Sequence, residues 1–127
     1  MKAAFIAMCC VLAAALGLCF VSVYVHDSVL DDMDAVCAET IKSVRGDDKQ
    51  TAVERVSELD RVFGERSGAL EMLASHNDLH ETRSCIMDAM VALECGDMDD
   101  AYQALVSLRG MLEHLRDHER LTLSNLL

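Results

Sequence analysis

From Ala3 to Val25 the chain reads AAFIAMCCVLAAALGLCFVSVYV, with no charged residue. As a helix rising about 1.5 Å per residue, this stretch is roughly 34 Å long, enough to cross a hydrocarbon core of about 30 Å. Beyond it, apolar residues recur at helical spacing, and no strand-like alternation lasts. Leu30, Met33, Cys37, Ile41 and Val44 mark a first soluble helix. Neither Gly nor Pro lies between Leu18 and Arg45, so this helix is expected to continue straight out of the span. Gly46 should end it, and Asp47 should cap the next, with Gln50 at the reciprocal position.

The second stripe is Ala52, Val56, Leu59, Phe63, Arg66, Leu70 and Leu73, in which Arg66 breaks the apolar pattern. Ser75-His76-Asn77-Asp78 has the form of a helix start and precedes Leu79, Ile86, Met90 and Leu93. Asp97 should cap a fourth helix, whose stripe is Met98, Ala101, Leu105, Leu108, Leu112 and Leu115. A faint internal repeat links Arg45-Gly46-Asp47 to Cys95-Gly96-Asp97. With a one-residue slip, the apolar positions after each joint also match. Two hairpins are fewer than a solenoid needs, so the expected fold is all-α: a transmembrane helix continuing into a small antiparallel bundle of two hairpins. Residues 1–25 form the anchor and residues 26–127 the helical domain.

The apolar run continues ten positions past Ala15, which exceeds the usual core of a cleaved signal peptide and favours an uncleaved anchor. Lys2 is the only basic residue before the span, and Asp27, Asp31, Asp32 and Asp34 follow it. This asymmetry predicts a single-pass protein of the cell membrane, with a cytoplasmic N-terminus and an extracytoplasmic domain. Residues 26–127 carry ten basic against 22 acidic side chains, which argues against nucleic acid as a partner and against close contact with anionic headgroups.

The last fifteen residues, Glu113 to Leu127, together with the Ser75–Leu79 segment, resemble the family catalogued as domain of unknown function 4363. Its members are short bacterial proteins with one N-terminal span, a helical remainder and an ending of the form E-H-I-P-x-x-E-x-L-S-L-x-N-I-F. Glu113, His114, Glu119, Leu121, Leu123 and Asn125 match that ending identically, while Leu115, Thr122 and Leu126 match it in kind. His76 matches the His of a D-H-E-E-I-type segment. Arg116 stands where the family has Pro, and the aromatic residues of the family's middle region are missing. The resemblance implies the layout and no activity.

Catalytic signatures are absent; His80-Glu81 and His118-Glu119 lack the second His of a zinc-protease helix. An enzyme is therefore not expected, and neither is a cofactor. Histidine placement offers candidate chemistry. His76 and His80 are four apart, as are His114 and His118, and an antiparallel third and fourth helix would bring all four to one end. They are the candidate ligands of a transition metal, against a plainer role as capping or surface residues. Cys37, Cys85 and Cys95 lie outside the span without a C-x-x-C pair, so buried free thiols are expected, with a bridge from Cys37 as the alternative. The leading functional expectation is a membrane-anchored interaction or scaffold domain, with a protein partner or self-association. The alternative is a metal-binding or sensing domain using the histidine end.

Overall fold

The computed structural model describes residues 1–71 and 74–126, apart from the side chains of Thr122, Leu123 and Leu126. Helix is the only regular structure among the described residues: α1 (Lys2–Arg45), α2 (Lys49–Glu71), α3 (His76–Glu94) and α4 (Met98–Leu126). Each helix packs on its sequence neighbours, and α1 against α4 closes the ring. The result is an up-down-up-down four-helix bundle, in which α1 contributes only its second half. The first half of α1 is long and apolar enough to span a membrane, and its most apolar window is wholly unburied by the protein.

The bundle forms because each helix carries a buried seam whose steps alternate between three and four residues. In α1 the seam is His26, Leu30, Met33, Cys37, Thr40 and Val44, with Val29 buried beside it. In α4 it is Ala101, Leu105, Leu108, Leu112, Leu115 and Glu119. Leu79, Thr82, Ile86, Ala89 and Leu93 form the seam of α3. The buried Thr40 and Thr82 hydroxyls donate to their own helix, to Val36 O and Asp78 O. The α2 seam is interrupted at Arg66, where the apolar pattern breaks. Arg66 is exposed, with its guanidinium 3.6 Å from Asp32 on α1, and burial skips from Phe63 to Leu70. A guanidinium that can reach water and an acid has no reason to enter the core. Leu73 lies outside the described residues.

The joints explain the slipped repeat. Asp48 N–H donates to Ser43 O in the first, and Asp97 N–H to Ala92 O in the second, the long closing bond of a helix stop. The residue inside that loop has positive φ: Asp47 (55°) in one joint and Gly96 (74°) in the other. The cap of α2 is therefore Asp48, whose carboxylate accepts from Thr51 N–H, and not Asp47, whose backbone is committed to the left-handed turn. Asp97 caps α4 and Ser75 caps α3 as expected, accepting from Asp100 N–H and Asp78 N–H.

Candidate functional site

Four cross-links fix the register of α1 against α4: Cys37 with Leu105 O, Asp34 with Arg109, Asp31 with Arg116, and His26 with Glu119. The α1 number falls as the α4 number rises, so the helices are antiparallel. The His26–Glu119 layer closes the bundle core at the end where α1 emerges from its apolar half. Past Glu119, this register carries the last turns of α4 alongside residues 19–25, where Ser22 and Val23 become half-buried.

His26 and Glu119 are 1% and 3% exposed and share a hydrogen bond, with Nδ1 2.8 Å from Oε2. Each side chain is left with an unsatisfied atom: His26 Nε2 and Glu119 Oε1 are buried without a hydrogen-bond partner. Such orphaned atoms normally cost about 1–3 kcal/mol each. Asp27, the exposed neighbour of His26, brings its carboxylate to the same place, so that one ligand atom from each of the three residues lies within 4.8 Å of the others. Burial raises the Glu119 carboxyl above the ordinary range; the His26 hydrogen bond opposes this, and the neighbouring Asp27 carboxylate adds to it. Two carboxyl groups and an imidazole thus crowd one small, largely dry space.

The histidines singled out from spacing alone sit elsewhere. His76, His80, His114 and His118 are all exposed. His114 Nε2 lies 3.7 Å from Asp78 in the first turn of α3, so the start of α3 does meet the later part of α4. None of the four belongs to a group of three metal-capable side chains among the described residues. All six cysteines are free. Cys37 is fully buried, its thiol donating to Leu105 O at 3.5 Å, and burial pushes its pKa up to about 12.

A shallow groove of about 720 Å³ between α1 and α4 is lined by Arg45, Arg109, Arg116 and Arg120. Arg109 and Arg116 are already engaged by Asp34 and Asp31, and Arg45 donates to the Tyr102 hydroxyl. Glu113 and Asp117 line the same groove, which leaves little unbalanced positive charge for an anion.

No family model matches the chain, and neither does any curated protein or solved structure. The geometry of the site is therefore the only guide to what it does.

Spacing contained a signal for the buried pair. Stepping back four residues from Leu30 reaches His26, and stepping on four from Leu115 reaches Glu119. Apolar periodicity alone ends both seams at their last apolar residue, which hides a polar layer that continues the same alternation.

Proposed function

We propose that this protein is a membrane-anchored interaction module that holds an acidic helical bundle off the membrane surface and presents it to a protein partner. The observation that carries this reading is the continuity of α1. One 44-residue helix supplies both the unburied apolar half and a wall of the bundle, with no linker between them. A domain tethered only for localisation would need no such stiffness; one that must offer a face at fixed height and orientation would. The charge of residues 26–127, ten basic against 22 acidic side chains, keeps the bundle clear of anionic headgroups and suits a partner with a basic face. The proposal includes a cytoplasmic N-terminus, an extracytoplasmic bundle and membership of the family named above.

Cys95 offers a direct test of topology. It is exposed in the α3–α4 joint, whereas Cys37 is buried, Cys85 is half-buried, and Cys9, Cys10 and Cys19 lie in the apolar half. A membrane-impermeant maleimide added to intact cells should label Cys95 and lose that label in Cys95→Ser. Labelling only after lysis would reverse the orientation. Cross-linking from native membranes should then recover a specific protein partner through the bundle surface. Recovery of lipid adducts alone would end the interaction reading.

A further inference from the structure

The His26–Glu119–Asp27 cluster has the composition and placement of a cation site. Buried ion pairs in proteins normally satisfy their remaining lone pairs and protons, because a half-satisfied pair in a dry layer is costly. Here Nε2 and Oε1 are both left over, on side chains 1% and 3% exposed. An ion held by the facing atoms Nδ1 and Oε2 can also draw on Oε1 of the same carboxylate, while Nε2, on the far side of the ring, stays outside the site. Asp27 is not needed to neutralise His26, yet its carboxylate converges on the pair and adds a second negative charge.

With a neutral imidazole, the three side chains carry two negative charges, which a divalent ion balances. Water can reach the cluster from the side of the exposed Asp27, giving an ion a way in. The spacing also fits. Two donor atoms 2.8 Å apart, each bound at about 2.1 Å, subtend about 85° at a metal, close to the angle between neighbouring ligands of a six-coordinate ion. A tetrahedral centre would require them to separate to about 3.4 Å. Imidazole disfavours Mg²⁺ and Ca²⁺ and suits the first-row transition metals.

We infer that His26, Asp27 and Glu119 form a binding site for a divalent first-row transition metal, clamping α1 to α4 at the point where α1 leaves its apolar half. Three protein ligands leave coordination positions on the open, Asp27 side for water. The site is separate from the exposed histidines of α3 and α4, and it does not depend on the bundle being an interaction module.

The test uses the full chain in mild detergent, purified without a polyhistidine tag and stripped with chelator. Titration with Co²⁺ and Zn²⁺ by calorimetry should show one equivalent bound at micromolar affinity or tighter, while Mg²⁺ does not compete. The Co²⁺ complex should show the weak visible absorption of a six-coordinate ion. Asp27 is exposed, so Asp27→Asn should leave the helical spectrum intact and still weaken binding by about tenfold or more. Glu119→Gln, checked for retained helicity, should abolish it. Doubly substituted His76→Ala/His114→Ala should bind as the parent does. Failure to bind Co²⁺ or Zn²⁺ more tightly than about 1 mM would overturn the site, since such affinity is only about 4 kcal/mol. So would tight binding that survives Asp27→Asn and is lost in His76→Ala/His114→Ala.

Discussion

Removing one member of the His26–Glu119 pair should damage the bundle far more than replacing both. At 2.8 Å and an effective dielectric constant near 20, an ionised pair would attract by about 6 kcal/mol. Against that stand a desolvation penalty of several kcal/mol for each ion and two orphaned atoms at about 1–3 kcal/mol each. By this count the pair adds no net stability, but the interdependence is large. His26→Leu strands a buried carboxyl, and Glu119→Met strands a buried imidazole; each should cost about 3–5 kcal/mol. The double variant extends both apolar seams by one layer and removes every desolvated polar atom of the pair, so it should match the parent or exceed it by about 1–4 kcal/mol. Additivity would instead predict a loss of about 6–10 kcal/mol, enough to unfold many domains of this size. Urea unfolding of the full chain in mild detergent, followed by far-ultraviolet circular dichroism with chelator present, separates these outcomes. The apolar half of α1 keeps its helicity in the micelle, so the transition reports the bundle. A double variant as unstable as the sum of the singles would refute the account of the pair as an interdependent polar layer.

Other expectations use the same unfolding assay. Phe63→Ala removes a side chain 3% exposed and should cost about 3–5 kcal/mol, whereas Arg66→Leu, which deletes an exposed pair with Asp32, should stay within about 0.5 kcal/mol. Asp47→Gly should stabilise by up to about 1 kcal/mol by relieving a left-handed non-glycine residue, and Gly96→Ala should destabilise by about 1–2 kcal/mol. Cys37 keeps its proton to about pH 12 when folded and loses it near 9 when unfolded. Between those values the folded state holds the extra proton, so stability should fall as pH rises, by up to about 1.4 kcal/mol per unit. Below that window iodoacetamide should leave Cys37 unmodified until urea is added; rapid modification in the native bundle would show that the thiol is not buried.

The helices and their order are legible because each buried seam is mostly apolar, the first and third joints carry a Gly-Asp pair, and Ser75 marks the start of α3. What escaped was polar and local. Asp47 and Asp48 are the same residue type side by side, and only the backbone turn decides which caps α2 and which adopts positive φ. Arg66 occupies a seam position by count, but its long side chain can leave the seam for Asp32, a choice that periodicity does not record. His26 is the first polar residue beyond the apolar run, and Glu119 is marked in the sequence only by its match to the family ending and its place beside His118. Only the pairing of α1 with α4 makes each the other's partner. The exposed histidines drew notice through spacing within one helix, whereas the buried site is built from residues 93 positions apart.

An uninterrupted α1 also acts as a lever. From His26 to Arg45 it rises about 30 Å, with the other three helices fixed to it. If the apolar half spans a membrane as proposed, a tilt of about 20°, ordinary for a single span, would swing the distal joints sideways by about 10 Å. Axial rotation of that half would turn the whole acidic surface by the same angle. In the proposed anchored state, changes in bilayer thickness, or in whatever packs against the apolar half, would reach the far end of the protein as displacement, without any change in its internal packing.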